Sequence, residues 1–274
     1  MKVLSGTEEN APMVLTRKER KPGRGLISGN FSAGMKLGYR NFTKPHLSYR
    51  LGLLWVVLDP LLRAIVFSFL MIVIRGNTSP ESLVIGVFTI YALNNSISSS
   101  MNLRLSQEPF PLSHTPSSTM IISKITSDIL TSIFLGLSSS IILIFVIEVP
   151  TSLILILPVA CISLSLIGSG VGLLLSPVVM IIKDISKIVS YLLLLGFFLQ
   201  CVLYPFSETE GLHREILSWL PHTIFVEWAR STSSGNEYPF SIEHVFSALF
   251  LWTIPMLYGF FRFNQYRWRS TTWS

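Results

Sequence analysis

Asp59 and Arg63 stand four residues apart inside an apolar run, LGLLWVVLDPLLRAIVFSFLMIVI (51–74), with Pro60 between them. Four residues is one helical turn, so a helix would bring carboxylate and guanidinium together on one face, where each neutralises the other. A membrane core disfavours all three residue types, so they need a task there. Trp55 fits the membrane interface. Asp59 then lies about one turn deeper, roughly 6 Å at 1.5 Å per residue, and Pro60 is expected to kink the helix.

Other reactive side chains form no familiar constellation. The histidines, His46, His114, His213, His222 and His244, are scattered. Cys161 and Cys201 lie in apolar runs without CxxC spacing and read as small buried hydrophobes. The chain has no GxxxxGK[ST] phosphate loop, no HExxH and no GxSxG. Its GSGVG (168–172) sits in an apolar span with no following Lys, so Gly168 and Gly172 read as a GxxxG helix-packing motif. No catalytic residue, cofactor site or metal site is expected in this chain.

The elements that carry these residues are membrane spans. Of 274 residues, 50% are hydrophobic and 13% charged, and mean hydropathy is +0.56. A soluble domain carries about 25% charged residues. Six all-α spans are expected, near 51–74, 83–103, 126–147, 152–175, 184–204 and 243–263. Residues 1–25 read as a disordered cytoplasmic tail, 26–50 as an amphipathic interface segment, 51–265 as the transmembrane domain and 266–274 as a second tail. No cleavable leader is read in the first 50 residues, so the spans are expected to direct insertion. Between the fifth and sixth spans, LHREILSWL and TIFVEWA are too short to cross and read as re-entrant or interfacial outer helices.

Cations set the orientation. With both termini in the cytoplasm, inner segments hold 17 of the 21 Lys and Arg, counting Arg104 and Lys124 in the loop after the second span. The net charge of +6 then meets anionic inner-leaflet lipid, and no nucleic acid is required. The stretch NNSISSS (94–100) should face protein or water, as a polar wall or as helix–helix glue.

Four stretches resemble the membrane subunit of ABC-2 type exporters of cell-surface polysaccharide, the O-antigen, teichoic-acid and capsule permeases. They are YRLGLLWVVLDPLL, the loop NLRLSQEPFPLSHTPSSTMIISKITSDI, KDISKIVSYLLLLGFFLQCVLYPFS and SWLPHTIFVEWARSTSSG. The matching positions are Leu51, Gly52, Trp55 and Pro60; Phe110 and Pro111; Lys183 and Asp184; and Pro221 and Arg230. Lys183 stands where the family usually has Arg, and Leu220-Pro221-His222 where it usually has Asn-Pro.

The resemblance implies a half-transporter of the cytoplasmic (inner) membrane. Two copies would form the pore, two separate ABC ATPase subunits would bind ATP and Mg, and the cargo would be a lipid-linked polysaccharide. The best ATPase-coupling candidates are Glu108, Phe110, Pro111, Leu112 and Thr115, in a proline-stiffened inner loop. Candidate channel residues are Trp55, Asp59, Arg63, Phe67, Phe69, Phe88, Tyr91, Tyr191, Phe197, Phe198 and Tyr204, whose aromatic rings can stack on the C–H faces of sugars. Pro221, Glu227 and Arg230 are candidates for an outer gate, with Glu227 and Arg230 spaced to pair. Competing readings are an ABC-2 exporter of small lipids or drugs, an ion-coupled transporter, and a membrane transferase acting on lipid-linked sugars.

Overall fold

The computed structural model describes residues 24–47, 50–75, 80–103 and 117–270. Within them the chain is helical: α1 (Arg24–Leu47), α2 (Trp55–Arg75), α3 (Pro80–Met101), α4 (Ser117–Ile147), α5 (Leu153–Ile181), α6 (Asp184–Leu199), α7 (Gly211–Ser218), α8 (Pro221–Ser234) and α9 (Ile242–Ser270). Among the described residues, α2, α4, α5 and α9 contain stretches long and apolar enough to cross a membrane. The second half of α3, NNSISSSM, is too polar for the same test. The 16 residues of α6 rise about 24 Å, short of a hydrocarbon core of about 30 Å. The fifth span, expected over 184–204, therefore ends early, at Leu199.

α5 is the hub, packed on α3, α4, α8 and α9. Small residues permit this. A Cβ on Gly168 would lie 2.7 Å from the Leu93 carbonyl oxygen of α3, and one on Gly172 would lie 2.5 Å from that of Ile97. On another face, Gly170 meets Met256 and Gly259 of α9. The expected GxxxG packing is present, and its partner is the polar half of α3. Ser96 and Ser100 are buried there, against Gly168 and Gly172. Ser99 returns its hydroxyl to the Asn95 carbonyl at 2.6 Å. Helix packing thus accounts for Ser96 and Ser100.

The expected interface segment forms α1, which begins at Arg24, inside the stretch assigned to the tail. Gly34 and Gly38 let it lie tightly along α4 at Thr119–Thr126, and Asn41 donates to Ser123 at 3.1 Å. Phe31, Met35 and Tyr39 recur every four residues on an exposed face beside exposed Lys36, Arg40 and Lys44. That pairing of apolar and cationic stripes suits a headgroup layer.

Lys124 corrects the cation count. It lies on α4, not in a loop, and its ammonium donates to Asp128 one turn on, both buried. Ser169 of α5 donates to the other Asp128 oxygen, and Ser132 donates to Ser165 at 2.8 Å. This polar ladder ties α4 to α5. Cys161 and Cys201 are free and buried.

Candidate functional site

The α2 face is assembled from its first residues. Gly52 takes φ +53°, a left-handed conformation that glycine adopts freely, and opens the short 3₁₀ turn leading into Trp55. This explains the Gly in the Leu51-Gly52…Trp55 motif. Pro60 is buried within α2 and withholds a donor from the Val56 carbonyl.

Beyond Pro60 the helix presents its ion pair. Arg63 Nη2 donates to Asp59 Oδ2 at 3.1 Å, with the side chains 55% and 43% exposed. The Arg63 guanidinium also lies 5.5 Å from the Tyr91 ring centroid of α3. One turn further along α2, Phe67 packs on Phe197 of α6 at 4.7 Å and edge-on to Phe198 at 6.0 Å. Asp59, Arg63, Phe67, Tyr91, Phe197 and Phe198 therefore line one seam between α2, α3 and α6.

The other candidates lie apart from this seam. Phe69 and Tyr191 are 71% and 73% exposed on outward faces. Trp55 is partly exposed at the start of α2. Phe88 is fully enclosed in the core, where it packs and reaches no surface. Tyr204 belongs to the segment after α6 and donates its hydroxyl to the Leu199 carbonyl. The coupling candidates Glu108, Phe110, Pro111, Leu112 and Thr115 lie outside the described residues.

The Pro221, Glu227 and Arg230 group forms a second site at the far end of α3. Pro221 occupies the first turn of α8, where a missing donor costs nothing, and Gly235 caps its end at φ +71°. Arg230 spends all its donors. Nη1 reaches Glu227 Oε1 at 2.8 Å and the Tyr204 carbonyl at 3.1 Å. Nη2 reaches Val202 O at 2.9 Å and Ser82 O at 3.1 Å, and Nε reaches Ser82 O at 3.3 Å. Glu227 also accepts the Phe206 N–H at 3.2 Å. One buried guanidinium thus joins α3, α8 and the segment leaving α6. Gly86 leaves room for it, since a Cβ there would lie 2.6 Å from Val202 O. Neighbouring His222, fully buried, meets the Thr89 hydroxyl of α3 at 3.2 Å.

Sequence reasoning missed the Lys124–Asp128–Ser169 cluster, although Lys124 and Asp128 share the spacing that singled out Asp59 and Arg63. It also missed the carbonyl partners of Arg230, for which the sequence holds no signal.

No curated protein matches the chain. A family model described as ABC-2 type transporter matches residues 37–237, which takes in the α2 seam and the Arg230 junction. This chain belongs to the ABC-2 type transporter family, as a multi-pass transmembrane subunit that works with an ATPase subunit.

Proposed function

We propose that the chain is the permease half of an ATP-driven exporter of a lipid-linked cell-surface polysaccharide, acting as a homodimer in the cytoplasmic membrane with six crossings and both termini inside. The Asp59–Arg63 pair carries this reading. A half-exposed ion pair on an apolar span is poorly placed against hydrocarbon, and intramembrane charges face a bundle interior or water. A single copy leaves that face of α2 open. A second copy would enclose it, and α6 beside it is likewise open, with Ile188, Tyr191, Leu192 and Leu195 exposed.

Enclosed in this way, the seam offers what a glycan chain needs. Asp59 and Arg63 supply acceptor and donor for hydroxyls, while Phe67, Tyr91 and Phe198 supply flat apolar surface for sugar C–H faces. α3 and α6 complete six crossings if the polar half of α3 is buried against α5, as it is, and if α7 and α8 fill the depth that α6 leaves. The cation bias at the α1 end supports placing that end inside, with Lys124 left out of the count. ATP and Mg would bind the partner ATPase, which the inner loop 104–116 would meet.

The test is ATP hydrolysis by the complex in nanodiscs. A lipid-linked glycan added to the bilayer should raise the rate several-fold over the same lipid without sugar. Equal stimulation by the bare lipid or by a small amphiphilic drug would favour export of a small lipid or drug instead.

A further inference from the structure

The segment from α7 to the start of α9 holds a feature that the Arg230 junction does not explain. A cleft of about 460 Å³ opens there, lined by Phe206, Arg214, Glu215, Phe240, Ser241 and His244 among others. It is a shallow hollow, open over most of its surface, as suits a ligand that lies along it rather than inside it.

Phe240 organises the floor. It is stacked on His244, with an interplanar angle of 13° and centroids 5.6 Å apart, and it lies 4.8 Å from Phe206. The Arg214 guanidinium sits 4.9 Å from the Phe206 centroid. His244 Nε2 meets the Ser218 carbonyl at 2.8 Å. A carbonyl only accepts, so Nε2 carries a proton and donates it there. The cleft therefore combines a half-buried aromatic ring with a planar donor at Arg214, an acceptor at Glu215 and the imidazole of His244.

A second cleft of about 300 Å³ adjoins the first and shares Pro239 with it. It is lined by Glu81, Ser207, Ser234, Asn236 and Glu237 among others, and its floor reaches the Glu227–Arg230 pair of the junction. Ser207 and Ser234 bring exposed hydroxyls to it. One aromatic platform beside a run of hydroxyl, amide and carboxylate groups matches a ligand with apolar C–H faces and many hydroxyl edges. Two adjoining compartments match a chain of such units.

We propose that these clefts form a saccharide-binding groove, in which Phe240 stacks on one sugar ring while Arg214, Glu215 and His244 hold its hydroxyls. The groove rests on the reading of the cargo as a glycan, and it would receive the chain at the face where α7 and α8 lie.

The full chain in lipid nanodiscs, without ATPase or lipid-linked substrate, is titrated with maltohexaose, cellohexaose and chitohexaose by calorimetry. At least one should bind. Phe240→Ala should weaken that binding about tenfold, while Phe246→Ala, on the exposed apolar face of α9, should leave it unchanged. Because Phe240 also packs on Phe206, the exposed Arg214→Gln and Glu215→Gln provide an independent measure and should each weaken binding at least threefold. No binding of any of the three sugars, or wild-type affinity in both rim variants, overturns the groove. Glycan-stimulated ATP hydrolysis without such binding would leave the export reading standing and remove only the groove. Binding here without that stimulation would do the reverse.

Discussion

Arg63 donates to Asp59 at 3.1 Å across one turn of α2, yet both side chains remain about half exposed on a helix apolar enough to span a membrane. An exposed pair contributes little to folding, about 0–1 kcal/mol. Its position is better explained by what passes or docks against it. The exchanged variant, Asp59→Arg with Arg63→Asp, should insert and melt within about 2 °C of wild type, while glycan-stimulated ATP hydrolysis falls at least fivefold. Thermal unfolding and hydrolysis measured on one preparation check this, and unchanged stimulation would make the pair purely structural.

Arg230 presents the opposite case, a buried cation with every donor used. Arg230→Ala leaves Glu227 buried and unpaired, which should destabilise the protein by about 3–5 kcal/mol. Arg230→Lys should recover less than half of that, because one ammonium cannot span Ser82, Val202 and Tyr204 together. Midpoints of thermal unfolding in detergent would rank the three. A wild-type midpoint for Arg230→Ala would refute the idea that this residue bolts α8 to α3.

The Lys124–Asp128–Ser169 cluster predicts non-additivity. Asp128→Leu alone strands a buried ammonium and should cost about 3–5 kcal/mol, whereas Lys124→Met with Asp128→Leu should cost markedly less. If the double variant is as unstable as the sum of the singles, the charges act independently and the cluster is not a coupled pair.

Much of this was legible from residue spacing, in places where the partners are close in sequence. Asp59–Arg63 and Glu227–Arg230 pair as one helical turn requires. Gly168 and Gly172 do mark a close helix contact, because a missing side chain at that interval leaves a groove on one helix face. What stayed hidden depends on distant chain segments. α6 ends where Gln200 turns extended and the Leu199 carbonyl is met by the Tyr204 hydroxyl and His213, and Arg230, far along the chain, holds the Val202 and Tyr204 carbonyls that follow. Lys124 looked like a loop residue because hydropathy sees its charge and not Asp128 and Ser169 beside it. Phe88 looked like a channel aromatic because composition cannot separate a core-facing ring from a surface one.

The α3–α5 contact makes a steric prediction. The Cβ of Gly172→Ala would fall 2.5 Å from the Ile97 carbonyl oxygen, a backbone atom that cannot swing away. The change should cost about 1–3 kcal/mol through overpacking. Gly211→Ala, with open space around it but φ +59°, should cost about 1 kcal/mol through backbone strain alone. A loss well below ~1 kcal/mol for Gly172→Ala, followed by thermal unfolding, would count against tight α3–α5 packing.

The most direct measurement is translocation itself. Vesicles holding the permease and its ATPase partner, with a lipid-linked glycan supplied on the ATPase side, are probed with a lectin confined to the other side. The account predicts ATP-dependent appearance of glycan at the lectin side, lowered at least tenfold by Asp59→Arg with Arg63→Asp. Glycan that never reaches the lectin, or that reaches it equally without ATP, would contradict it.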